Sequence, residues 1–546
     1  MFRRSWRHLA MAAAALLAVS SVAACSGDSA DSQDLSENRA GAMADYAVGT
    51  QFKATEPVSF SVLYNNHPNY PLKNDWLFWS ELTSRTNVTL EPVAVPLSDY
   101  NQKRSLLIGA GDAPLLIPKT YPPDVHAYVS SGAILPVSDY LDLMPNLKDK
   151  IEKWNLQPEL DTLRQADGKF YLLPGLHEKP WHEYSLVVRT DILDELNLAV
   201  PKTWDDVYTM LKAMKAAYPD TIPFSDRYSQ PNPAGNLLNL LALSYGLQGA
   251  GWNFQHVSWN ANAQRFEYTG ATEQYRQMLQ YLNRLVAEKL LDPESFTQTD
   301  DLARQKLANS RSFVISGNAQ ALVNDYRPDL AATNPKAKVT KIPLPVGPAG
   351  EINPASRLEN GMMISSKARD SKNFVAMMQF VDWLWYSDAG QEFARWGVEG
   401  QTFVKDGSGK HTLAPDVDMI GLNAGAPKHL QKDFGFANGV FSYGGKPELV
   451  QAFFSAEEQE FQQVMNARPP KSPPPPYPLS DEEREQVSLW ETPLKDHVYQ
   501  ATLQFVLGQR DFAQWDAYVG ELKGKNMDSY LSTVNEAYQR YRDQNN

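Results

Sequence analysis

Cys25 is the only cysteine among 546 residues, and that sets the first limit on the chemistry open to this chain. One thiol makes no internal disulfide, and no CxxC or Cys/His spacing marks a metal site. No G-x-S-x-G elbow and no H-E-x-x-H helix occurs, and Gly407-Ser408-Gly409-Lys410 lacks the full spacing of a phosphate loop. Gly109-Ala110-Gly111 lacks the third glycine of a dinucleotide fingerprint. The nine histidines are scattered. His177 and His182 lie near Trp181, a mixture that could contact a ligand, although a lone loop histidine is more often solvated or locally bonded. Asp300/Asp301 and Glu457/Glu458 are carboxylate pairs. Glycoside hydrolysis needs two carboxylates about 5–10 Å apart across a cleft, which adjacent positions do not establish. The sequence therefore reads as a non-enzyme, with no catalytic residue, no metal and no cofactor.

Arg3, Arg4 and Arg7 precede an apolar run from Leu9 to Ala24. A basic n-region, a short h-region and small residues at a cut are the parts of a secretory leader. The run is short and Ala-rich against the roughly 20 residues a spanning helix needs. Val22-Ala23-Ala24-Cys25 resembles a bacterial lipobox, which implies lipidation of Cys25 by a diacylglyceryl thioether, with palmitate-type acyl chains, and a mature N-terminus there. Losing residues 1–24 removes three arginines and no acid, moving the formal charge from −13 to −16. Such a balance argues against nucleic acid and against adhesion to anionic lipid through a basic patch. Attachment would be through the lipid anchor only, since two acyl chains hold where one is marginal. The reading is a protein on the extracellular face of the bacterial cytoplasmic membrane, with residues 25–54 as a flexible tether.

The remaining body, about 500 residues, exceeds the roughly 50–250 of a single domain, so two lobes are expected. Val58 to Tyr64 alternates as a strand, followed by a polar loop from Asn65 to Asn69. A helix over 76–86, a strand from Val88, a helix begun at Ser98 and a short strand Leu115–Ile117 continue an α/β pattern, which favours a largely parallel sheet. Thr203 with Asp206 makes a helix start, and Trp204, Val207, Tyr208, Leu211 and Met214 form its core face. A strand ends at Ser316-Gly317-Asn318, and one long amphipathic pattern runs from Ser371 to Phe393. Pro469 to Pro478 reads as a stiff extended connector, and 481–542 as mostly helical.

Several runs in one order resemble the extracellular solute-binding protein family 1 of bacterial ABC importers, in its large oligosaccharide-binding branch. They are Val95–Lys103, Ser131–Val137, Arg189–Asp194 with Pro201–Asp205, Trp385–Glu392 with Arg395–Gly400, and Asn438–Gly445. The resemblance spans about residues 55–545. It implies an α/β, two-lobed periplasmic-binding-protein-like (Venus-flytrap) fold with the ligand in the interlobe cleft and extra C-terminal helices. One lobe would be 55–187 plus 363–405 and the other 188–362 plus 406–546. Some relatives carry an acidic calcium loop where this chain reads Ala217 to Phe224 with one carboxylate, so no calcium site is expected.

Sugar recognition needs flat apolar faces and fixed polar groups. Asn65 and Asn66 follow the first strand, Lys119 and Tyr121 the third, and Trp181 and His182 lie near a hinge. Trp252 and Phe254 follow a glycine-rich turn, Asn318 follows a strand end, and Arg357 and Asn360 precede the second hinge. The resemblance favours Trp396, with Glu399, at the cleft floor. Phe441 and Tyr443 are either ligand contacts or an interlobe strut. The sparse cations lean toward a neutral sugar, while Lys119, Arg189 and Arg357 keep an acidic one open.

The expected function is a monomeric, lipid-anchored substrate-binding protein that delivers an oligosaccharide to ABC permease subunits. The alternatives are an exported polysaccharide hydrolase or lyase and a sugar-binding surface sensor uncoupled from transport.

Overall fold

The computed structural model describes residues 34–227, 235–251, 254–353 and 356–545. The leader, Cys25 and Trp252 lie outside the described residues. Four strands open the chain: β1 (Val58–Asn66), β2 (Val88–Pro96), β3 (Leu116–Thr120) and β4 (Leu173–Leu176). Then come β5 (Ser185–Arg189), the hairpin β6 (Val257–Asn260) and β7 (Arg265–Tyr268), β8 (Val314–Gly317), β9 (Val339–Lys341) and β10 (Leu358–Ile364).

The first sheet has the order β2-β1-β3-β10-β4. β1 pairs in parallel with β2 and β3, whereas β10 runs antiparallel to β3 and β4. A second sheet, β8-β5-β9, is antiparallel throughout. Of these two sheets, only the first has parallel pairs, where the early strand–helix units build it. β1 alternates for three residues and is then buried on both faces, as a covered parallel strand must be. It also continues through Asn65 and Asn66, which the sequence reading left in a loop.

Each sheet has its own core. Phe60, Trp76, Val381, Trp383 and Phe441 belong to the first, and Leu186, Trp204, Met278, Leu494 and Tyr518 to the second. Leu413, Leu430, Phe436 and Phe453, which the sequence reading placed with the second lobe, pack into the first core. The C-terminal helices lie on the second: Tyr275 Oη meets Thr502 Oγ1 at 2.8 Å between helices Glu273–Ala287 and Asp481–Val506. The prolines after Pro469 cross in contact with the chain at Asn353, whose N–H donates to Pro469 O at 2.7 Å.

Local signals act as their chemistry requires. Thr203 Oγ1 accepts from Asp206 N and Asp206 Oδ2 from Thr203 N, both at 3.0 Å, closing a reciprocal cap. Ser98 caps nothing; a 3-10 turn, Leu97–Asp99, leads into the helix Tyr100–Gly109. The expected 371–393 helix is two, Phe374–Tyr386 and Asp388–Trp396, split where Ser387 Oγ accepts from Gly390 N. The first of these is buried all round, so its polar Gln379 and Asp382 face partners, not water.

Those partners are the supposed tether. Residues 34–54 lie strapped along the first lobe. Gln379 Oε1 accepts from Met43 N at 2.9 Å while its Nε2 donates to Met43 O at 3.0 Å. Tyr46 Oη donates to Asp382 Oδ2 at 2.9 Å, and Phe52 is 0 % exposed in the first core.

Candidate functional site

β4 ends the first sheet at Leu176 and β5 starts the second at Ser185, so residues 177–184 join the lobes. β9 and β10 are joined in the same way through 342–357. A cavity of about 490 Å³ opens at these crossings, with walls that include Tyr121, His177, Trp181, Glu183, Glu359 and Asn360. Helix Gly235–Ser244 adds Asn239 beside the apolar Leu240 and Leu243. A smaller space of about 100 Å³ shares Trp181 and Glu183 and adds Asn318, Gln320 and Phe454. A larger open groove, about 860 Å³, lies between β7 and the C-terminal helices and touches the second core's segments only.

The crossing segment is held by its backbone. Gln462 clamps His182, accepting from its N–H at 3.0 Å and donating to its carbonyl. Lys341 Nζ donates to Glu183 O at 3.2 Å and pairs with Glu458 at 2.7 Å. The side chains of Trp181 and Glu183 are thereby presented to the cavity. On β10, pairing with β4 shifts register between Glu359 and Gly361. An extra residue in one strand re-aims its neighbours, so Leu358, Glu359 and Asn360 all line the cavity instead of alternating. Gly361 permits this: a Cβ there would stand 2.0 Å from Leu173 O.

The charges are arranged unevenly. Desolvation opposes ionisation of Glu359, yet hydrogen bonds from His177 Nε2 (3.0 Å) and Gly444 N (2.9 Å), with Arg395 nearby, hold its carboxyl below the usual range. Glu183 accepts from Asn318 Nδ2 at 3.1 Å; it reaches cleft water but has protein on all sides, and that lost solvation raises its pKa. Burial pushes the Lys119 ammonium down against the pull of Glu359 and Glu183. Burial, then Arg468 and Lys341, lowers His182 to about 4, so its ring is neutral at pH 7. Three atoms of lining residues, Asn239 Oδ1, Asn360 Oδ1 and His182 Nε2, are buried without a partner among the described residues.

Of the residues the sequence singles out, Tyr121, Trp181, His182 and Asn360 line the cavity, and Asn318 lines the adjoining space. Asn318 also caps its own helix, Oδ1 accepting from Ala321 N. Lys119 stands one layer back at the end of β3, its N–H donating to Tyr443 Oη at 3.1 Å.

The other candidates have structural duties. Trp396 is 0 % exposed and stacks on Phe453 at 4.0 Å, one layer behind the cleft instead of on its floor. Glu399 is exposed beside Lys405. Phe441 stacks on Phe78 at 4.7 Å in the first core. Tyr443 is buried and supports Lys119. Arg357 is consumed by Glu159 and by the carbonyls of Trp154 and Asn155, stapling β10 to the first lobe. Asn66 Oδ1 accepts from Leu72 N to close the turn after β1, and Asn65 is 4 % exposed away from the cavity lining. Phe254 packs edge-on against Tyr499.

Glu183, Glu359 and Asn239 are among the polar cavity-lining residues that the sequence did not single out. Glu183 follows the Trp181-His182 pair directly and Glu359 lies between two chosen residues, so proximity was a usable signal. For Asn239, inside an apolar helix, no local signal exists.

The sequence profile of the bacterial extracellular solute-binding protein family matches residues 77–392. The fructooligosaccharide ABC transporter substrate-binding protein FusA of Streptococcus pneumoniae is 24% identical over 538 residues, covering 91% of this chain and 93% of that protein. The alginate-binding protein AlgQ2, solved without calcium ion, superposes with a TM-score of 0.68 at 20% identity over 90% of this chain and 99% of its own. An HMO-binding, ABC-transporter-associated solute-binding protein from Bifidobacterium longum infantis does so with a TM-score of 0.68 at 18% identity, over 89% and 99%. These structures share the two-lobed fold.

Proposed function

We propose that this chain, which belongs to the bacterial extracellular solute-binding protein family, binds an oligosaccharide between its lobes and delivers it to the membrane subunits of an ABC importer. The observation that carries this reading is the cavity at the lobe crossings, where aromatic faces stand beside hydrogen-bonding groups left unpartnered. FusA, similar from end to end, supports both the sugar and the transporter. Ligand contacts to both lobes at once would favour the closed state. Tyr121, Trp181, His182, Asn318 and Asn360 are the proposed contacts, with Glu183, Glu359 and Asn239.

In this reading the lobes are 34–176 with 358–453, and 185–341 with 461–545, a division that the membership of the two cores supports. The leader and a lipidated Cys25 would hold a monomer at the outer face of the membrane. Among the described residues no helix is long and apolar enough to cross a membrane, so such attachment would fall to Cys25. Calorimetric titration of residues 34–546 with oligosaccharide panels tests the ligand class; no binding to any glycan, with tight binding of a peptide, overturns it. The protein performs no bond chemistry in this reading. Glu183 and Glu359 both line the cavity, as a hydrolase would require, so release of reducing ends during long incubation with a bound glycan would favour the enzyme instead.

A further inference from the structure

The sign of the charge at the cleft wall bears on the ligand. The acidic side chains lining the main cavity are Glu183 and Glu359, and among the described residues no lysine or arginine lines either it or the adjoining space. The internal segments outside the described residues (228–234, 252–253 and 354–355) contain no lysine or arginine either. Of the three cations that would suit an acidic sugar, two are tied up in ion pairs and none is in the cavity lining. Arg189 is 1 % exposed and forks onto Asp191 at 2.7 and 2.8 Å. Arg357 is spent on Glu159 and two carbonyls. Lys119 is absent from the lining: its ammonium lies against Gly439, where a Cβ would stand 2.7 Å from Nζ, and it feels the pull of Glu359 and Glu183 from there.

The unsatisfied hydrogen-bonding capacity matches this bias. Asn239 Oδ1 and Asn360 Oδ1 are buried acceptors without donors, and Glu183 and Glu359 carry further acceptor lone pairs. His182, 6 % exposed, has its Nε2 unpartnered at the same wall. An acceptor-rich wall is satisfied by O–H donors. A ligand carboxylate at this wall meets like charge, with no lysine or arginine among the lining residues to pair with it.

Resting on the oligosaccharide reading above, we infer that the cleft selects neutral, hydroxyl-rich oligosaccharides and excludes uronic-acid oligomers. Its carboxylates act as selectivity groups: they accept from sugar hydroxyls and repel anionic sugars.

The test is titration of the purified protein, residues 34–546, at low and physiological salt. The probes are neutral fructo-, malto-, cello- and manno-oligosaccharides against oligogalacturonates and alginate oligomers of matched length. The expected result is binding of a neutral series, with uronate oligomers weaker by about 100-fold or more at low salt and the gap narrowing as salt screens it. Glu183→Gln retains the acceptor facing Asn318 while removing the charge. It is expected to bring the best uronate about tenfold closer to the neutral ligand, with an unchanged melting temperature. Uronate binding equal to or tighter than the neutral series overturns this inference and leaves the oligosaccharide reading standing. Failure of every glycan, neutral and acidic, overturns both.

Discussion

Replacing Phe52 by alanine asks whether residues 34–54 are part of the first lobe or a leash. The ring is 0 % exposed, with Tyr46 edge-on at 6.0 Å and Phe380 at 6.2 Å. A buried phenylalanine truncated to alanine costs about 3–5 kcal/mol, from lost transfer free energy plus the cavity left behind. The site has little room to collapse, because Gln379 and Asp382 pin the strap on one side and Ala54 N, bonded to Thr86 O at 2.8 Å, pins it on the other. Urea unfolding followed by tryptophan fluorescence reports the first core through the buried Trp76, Trp383 and Trp396. Its midpoint should fall by roughly 1 M, given slopes of a few kcal/mol/M for a lobe of this size. Hydrogen exchange should accelerate along helix Phe374–Tyr386, with little change in the second lobe's helices. A midpoint within about 0.2 M of the unaltered protein would refute the packing argument, because a leash contributes no folding energy.

Other outcomes are equally specific. Trp181→Ala should weaken glycan binding about tenfold, since an aromatic face covering roughly 60 Å² of sugar at about 25 cal/mol/Å² contributes about 1.5 kcal/mol. Calorimetry reads this, and unchanged affinity would remove Trp181 from the site. Trp396→Ala should instead lower stability by about 3–5 kcal/mol while the folded fraction keeps its affinity within about threefold, the reverse of what a cleft-floor residue would give. Acidification should destabilise the second core's side of the protein. Burial, then Lys495, lowers His256 to about 4, and His182 also lies at about 4. The unfolded chain therefore binds more protons from pH 6.5 downward, and each histidine costs about 2 kcal/mol by pH 5. Asp382, raised to about 6 chiefly by burial, works oppositely: its penalty is relieved as pH falls from 6 toward 3.8, steadying the first core. Calorimetric scans at pH 7 and 5 should show the second core's transition falling relative to the first core's. His256→Phe should reduce that relative shift, and an unchanged shift would refute the assignment.

The chain's own chemistry determined much. The Thr203/Asp206 cap, the opening strand and helix units and the mostly helical C-terminal region are local, because each depends on spacing within a few residues. Chain length pointed to two lobes, and several runs resembling the extracellular solute-binding family, in one order, implied a binding protein. Trp181 and His182 were legible as cavity-lining residues because they lie in the segment that crosses between the lobes. Tertiary structure alone decided the rest. Trp396 and Phe441 have the composition of sugar platforms but are enclosed by rings from distant segments. Arg357 meets an acid about two hundred positions away, and residues 34–54 are held by remote segments, the buried Gln379 and Asp382 among them. Glu359 and Asn360 face the cleft together because a register shift against β4 cancels the alternation a strand would impose. Burial and facing direction depend on which remote segments arrive at a surface, and no spacing along the chain records that.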